Sequence, residues 1–152
     1  MIANILIALF ALAILCFFSY GDIKAKFIEN KATLSFIWFG MIITLFFHSF
    51  RSSMLYFAFA AVIAFLLWQY GGIGGADAKV LMAIPFYLGF IGIAQGFTCF
   101  IVFMGIFAVL GAIFGIMLKI RKNKVEVPFV PIITFAFILY YVWFFLVYIK
   151  II

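Results

Sequence analysis

The sequence predicts an all-α, polytopic membrane protein: a bundle of about six transmembrane helices forming a single domain over residues 1–152. Composition is the first observation behind this. Hydrophobic residues fill 71% of the positions and charged residues 9%, with a mean hydropathy of +1.44, where a soluble domain is roughly half apolar. The second is that the apolar residues come in runs close to the 20 or so that cross a hydrocarbon core. These runs are apolar on all sides, whereas a barrel strand alternates lipid-facing and lumen-facing residues, so the backbone must satisfy itself within helices.

Six segments qualify: Ile2 to Tyr20, Thr33 to Ser49, Ser53 to Tyr70, Val80 to Phe97, Thr98 to Leu118 and Phe129 to Ile149. The first lacks the basic start and small-x-small cleavage site of a secretory signal, so it is expected to stay as a spanning helix. The connections are Gly21 to Ala32, a short break at Arg51, Gly71 to Lys79, a tight turn near Gln95-Gly96, and Lys119 to Pro128. Pro85 is expected to kink the fourth helix, and Gly89, Gly92 and Gly96 to let neighbouring helices approach closely.

Basic residues concentrate in cytoplasmic loops. The first, third and fifth connections hold Lys24, Lys26, Lys31, Lys79, Lys119, Arg121, Lys122 and Lys124, and the other side only Arg51 and Lys150. Both termini are therefore expected outside, and the odd-numbered connections in the cytoplasm. This asymmetry accounts for the net charge of +6; contact with anionic lipid headgroups explains it without a nucleic-acid partner.

Little else suggests chemistry. Cys16 and Cys99 lie inside apolar segments without metal-ligand spacing, His48 is the sole histidine, and neither a metal site nor a Ser-His-Asp arrangement can be assembled. The two aspartates differ. Asp22 and Asp77 each stand where an apolar stretch meets a polar break, on the same cytoplasmic face, in a chain with four acidic residues. Acids at membrane borders are costly. A close carboxylate pair shares a proton, so that one member can activate water while the other protonates a leaving amine, with no cofactor.

The alternatives are specific. Asp77 could be a helix N-cap after the run Gly71-Gly72-Ile73-Gly74-Gly75, and Asp22 a solvated residue just beyond the first helix. The same two acids could serve a proton- or cation-coupled transporter, or cap helices in a non-catalytic assembly subunit. The glycine run favours a site, because a loop of Gly74, Gly75 and Ala76 at the membrane border could admit an extended peptide strand. Lys24 and Lys79, each two residues beyond an aspartate, read as headgroup anchors or as tuners of the aspartate charges.

Gly74-Gly75-Ala76-Asp77-Ala78-Lys79-Val80-Leu81 resembles the GxGD-type motif of prepilin peptidases, membrane aspartic proteases that process type IV pilin precursors and archaeal preflagellins. Asp22-Ile23-Lys24 with Ile28-Glu29-Asn30 resembles the family's first-aspartate loop, and Pro128-Phe129-Val130-Pro131 its P-F-x-P element. Ala76 stands where that motif usually has glycine, and Glu29 where proline is usual. Bacterial members carry an N-terminal cysteine-rich zinc element and a methyltransferase activity, so the resemblance points to the short, peptidase-only form found in archaea.

The resemblance implies catalysis by Asp22 and Asp77 in the cell membrane, with the site facing the cytoplasm. The partner would be a membrane-anchored pilin-like or archaellin precursor, cut at the membrane border to remove a short basic leader. Helix dipoles assign the proton: Asp77 at a helix start is expected to be the anion and base, and Asp22 at a helix end the acid.

Overall fold

The structure is a computed structural model and describes residues 2–25, 28–47, 50–70, 73–89, 93–120 and 128–149. All regular structure among them is helical: α1 (Ile2–Ala25), α2 (Asn30–Phe47), α3 (Phe50–Gln69), α4 (Gly75–Ala83) continued by a 3₁₀ turn (Ile84–Tyr87), α5 (Ile93–Ile120) and α6 (Phe129–Ile149). Four stretches are long and apolar enough to cross a membrane, namely Ala3–Ala25, Phe50–Gln69, Gln95–Met117 and Phe129–Val147, while Asn30–Phe46 is apolar but shorter. The expected all-α membrane architecture is the observed one.

The fourth segment departs from expectation. Instead of one helix from Val80 to Phe97, α4 and its 3₁₀ turn together extend about 22 Å at the usual rises, and α5 already begins at Ile93. Pro85 is the reason. It has no N–H to continue the α ladder, so the Ile84 N–H bonds back to the Leu81 carbonyl and the chain tightens. Gly89 then reverses it with φ +73°. The turn expected at Gln95-Gly96 lies instead within α5, and Gly92 lies outside the described residues. Of the glycines read as packing points, Gly89 is a conformational one. A Cβ there would meet Asn4 only at an ordinary 3.5 Å. Gly89→Ala is therefore expected to cost the strain of the left-handed backbone alone, about 1 kcal/mol, measured by denaturant titration in detergent.

The short α4 unit is the centre of the bundle. It packs against α2, α3 and α6, while α1 and α5 both lie along α6. Val80, Leu81, Ala83, Ile84, Phe86, Tyr87 and Leu88 are fully buried, whereas α1, α2, α3, α5 and α6 turn large apolar side chains outward, among them Phe17, Phe46, Val62, Val109 and Leu146. Such outward residues suit lipid tails.

A helix end buried in apolar surroundings leaves carbonyls that water cannot reach. Tyrosines supply the donors. Tyr140 on α6 donates to the Leu88 carbonyl at 3.0 Å, and Tyr141 to that of Tyr87. Tyr87 in turn donates to Phe36 on α2 at 2.6 Å, its ring stacked on Phe36 with centroids 4.4 Å apart. These bonds clamp the interrupted segment between α2 and α6.

The other boundaries shift in ways that affect the site. α1 runs five residues past its expected end at Tyr20, to Ala25, and α2 begins at Asn30 instead of Thr33. Arg51, expected in a break, lies in the first turn of α3, while His48 and the basic residues Lys26, Arg121, Lys122 and Lys124 lie outside the described residues.

Candidate active site

The end of α1 and the starts of α2, α4 and α6 bring together the polar residues that the sequence singles out. Asp22 sits on the last turn of α1 and is buried, at 8% exposure; Asp77 sits in the first turn of α4 and is likewise buried, at 7%. Buried carboxylates need donors. Each finds a backbone N–H at a helix start, where such groups lack intrahelical partners. The Gly74 N–H donates to Asp77 Oδ2 at 3.1 Å. The Val130 N–H, in the first turn of α6, donates to Asp22 Oδ2 at 3.3 Å.

The two alternatives fare differently: Asp77 does cap the start of α4, from the third helical position and not from the N-cap itself, whereas Asp22 is not solvated. Asp77 is the third residue of α4 and reaches back to Gly74, which occupies the cap position with φ −70° and ψ 158°. Asp22 is a buried helical residue bonded to another helix, not a solvated one past a helix end. The glycine loop is also shorter than expected. Gly75 and Ala76 belong to the first turn of α4, Gly71 and Gly72 lie outside the described residues, and Gly74 has an extended backbone that any residue adopts. What Gly74 contributes is room: a Cβ there would stand 3.0 Å from Asp77 Oδ2.

The helix-end electrostatics also differ from expectation. Asp22 was expected to suffer the negative end of the α1 dipole, but its carboxylate accepts from the positive end of α6. Asp77 has its own helix start, yet burial, and after it the Asp22 charge, push its carboxyl up to about 6, against the lowering effect of the Gly74 N–H. Asp22 and Asp77, 55 positions apart in the sequence, are thus close enough in the fold for one charge to act on the other.

The α1–α6 seam that carries Asp22 is pinned one turn deeper. Ser19 Oγ and Thr134 Oγ1 lie 2.7 Å apart, and Ser19 donates back to Leu15. Lys79 reaches Asn30 Oδ1 at 2.6 Å, tying α4 to the start of α2. Lys24 reaches the Tyr20 hydroxyl at 3.1 Å and lies over its ring. Their amines are thus engaged by neutral groups. Glu29 is exposed, and its carbonyl accepts the Thr33 N–H at 3.2 Å, so α2 starts without the usual proline. Cys16 is exposed and Cys99 buried, both free.

Reasoning from sequence missed three contributors. The Val130 amide is a backbone group and leaves no side-chain signature. Asn30 was legible only as the end of a loop element. Gly40, where a Cβ would stand 2.7 Å from Phe86 Cβ and 3.0 Å from the Tyr87 ring, marks the close approach of α2 to the 3₁₀ turn; its one signal is a glycine inside an apolar helix.

Interrupted helix, buried acids and lipid-facing exterior define a polytopic membrane protein with two buried carboxylates, Asp22 and Asp77. The sequence matches the type IV leader peptidase family over residues 9–116, more than two-thirds of the chain and including both aspartates. The chain belongs to that family and is a peptidase. The Pro128–Pro131 element lies beyond the matched stretch. No curated protein and no solved structure matches the chain.

Proposed function

We propose that this peptidase is an aspartic endopeptidase in which Asp22 and Asp77 cleave a membrane-anchored pilin-like or archaellin precursor at the cytoplasmic border, freeing it from a short basic leader. The observation that carries the reading is that both aspartates are buried, each accepting an N–H from a helix start, with Asp77 pushed up to about 6 by burial and by the Asp22 charge. Membership of the type IV leader peptidase family supports the substrate class. The excess of basic residues in the first, third and fifth connections supports a cytoplasmic site with both termini outside.

The chemistry follows from the environments. Asp22, bonded to the α6 start, acts as the base: it takes a proton from water as the water oxygen bonds to the scissile carbonyl carbon. Asp77, pushed up by burial, acts as the acid and gives its proton to the departing amine as the C–N bond breaks. The proton left on Asp22 restores the pair by exchange with solvent. Gly74 leaves space beside Asp77 for an extended strand.

The test is co-expression with a pilin-like precursor, scoring the processed band for wild type, Asp22→Asn and Asp77→Asn; processing that survives either change ends the dyad reading. A pH prediction accompanies it. The acid must be protonated, so kcat/KM, which reports free enzyme, should fall as pH rises through the Asp77 value of about 6. A bound strand removes more water and raises that value, so the alkaline limb of kcat should lie at higher pH than that of kcat/KM. Coincident limbs, or a single-limbed profile, would count against it.

A further inference from the structure

Residues Pro128–Pro131 have no part in the chemistry just described, yet α6 begins within them and its start touches Asp22. Phe129, Val130 and Pro131 are its first three residues. A helix start offers its first N–H groups to any nearby acceptor. Proline has none, so Phe129 and Val130 alone supply donors in this turn. The Val130 N–H is the one that meets Asp22 Oδ2, at 3.3 Å, across 108 positions of sequence. Val130 is fully buried, so water does not compete for it. The Ser19–Thr134 contact fixes the register of α1 on α6 one turn away.

We propose that the start of α6 is the seat of the catalytic base, with the Val130 amide as the positioning group for Asp22 and the flanking prolines restricting the choice of donor. This rests on the dyad reading. The amide holds one carboxylate oxygen so that the other can face the water, and it favours the ionised form that a base requires.

Proline at position 130 removes this one donor, in a helix turn that tolerates it; alanine trims the same side chain and keeps the donor. With purified full-length protein in lipid and a synthetic precursor peptide, Val130→Pro is expected to lower kcat about tenfold and move the acid limb of the pH profile up about one unit, with KM within about twofold. Val130→Ala loses the same side chain but keeps the N–H, so it should keep the wild-type acid limb, and its kcat is the baseline against which the loss of the donor is read. Equal kcat and equal pH profiles for the two variants would overturn the proposal. Asp22→Asn separates the two levels: if it still cleaves, the dyad reading fails; if it is inactive while Val130→Pro behaves like Val130→Ala, only the seat fails. Should Val130→Pro not accumulate in membranes, an amide-to-ester replacement at residue 130 deletes the same N–H with the valine side chain retained, and the same outcomes decide.

Discussion

Asp77→Asn is expected to reduce precursor cleavage by at least about 10³-fold, the scale of a lost acid–base group, while making the protein more stable at neutral pH. The second effect distinguishes a functional carboxyl from a structural one. The folded-state value of Asp77 is raised from 3.8 to about 6, so the fold prefers the protonated carboxyl. The stability tied to that preference is fully present below 3.8 and lost as pH rises through about 6. Above that range wild type carries a buried anion, whereas asparagine carries no charge and its side-chain oxygen can still accept the Gly74 N–H. The gain at pH 7.5 is expected to be about 1–2 kcal/mol after allowance for partial solvation, or a few degrees in Tm, and to vanish below pH 4. Thermal unfolding at the two pH values, alongside the cleavage assay, measures both. A variant that is inactive and also less stable at pH 7.5 would mean that Asp77 is retained for structure.

Gly40→Val is the substitution expected to damage the fold most. Even the Cβ of alanine would stand 2.7 Å from Phe86 Cβ and 3.0 Å from the Tyr87 ring, and neither neighbour has space to yield. Phe86 is stacked on the half-buried Phe57 at 5.0 Å and Tyr87 on Phe36 at 4.4 Å, with Phe86, Tyr87 and Phe36 in the core. Overpacking of this kind costs about 1–3 kcal/mol for alanine and more for valine. Because α2 and the 3₁₀ turn continue toward Asn30 and Asp77, joined by the Lys79 bond, activity should fall together with stability. Gly111 in α5 is the internal control: a Cβ there meets nothing within 4 Å. Gly111→Ala should be neutral or slightly stabilising, through helix propensity. Parallel unfolding curves for the two glycines would show that the α2 approach is looser than the geometry requires.

Much of the fold was legible because lipid imposes one rule on every residue. Apolar runs such as Phe129 to Ile149 have a single solution in a bilayer, and α6 occupies that span. The fourth segment defied the same rule since it is surrounded by protein, not lipid. A short helix, a 3₁₀ turn and a reversal at Gly89 are tolerated there because Tyr140 and Tyr141 satisfy the carbonyls that the break exposes. Hydropathy cannot register such partners: they come from 52 and 54 residues away. The helix-dipole argument for the proton was incomplete for a similar reason. It depended on where α1 ends and on which helix end Asp22 meets, and neither is written in the residues around Asp22.

The sequence by itself determined the solvent, the helical class, the two acids and, through the spacing of its motifs, the family, because each of these follows from residue type and order alone. Only the tertiary structure decided that Asp22 meets the start of α6, that α4 is a buried, interrupted element, and that the Asp22 charge reaches Asp77. Those facts depend on contacts between residues far apart in the chain. Two aspartates at membrane borders become a pair when packing removes their water and gives each a backbone N–H.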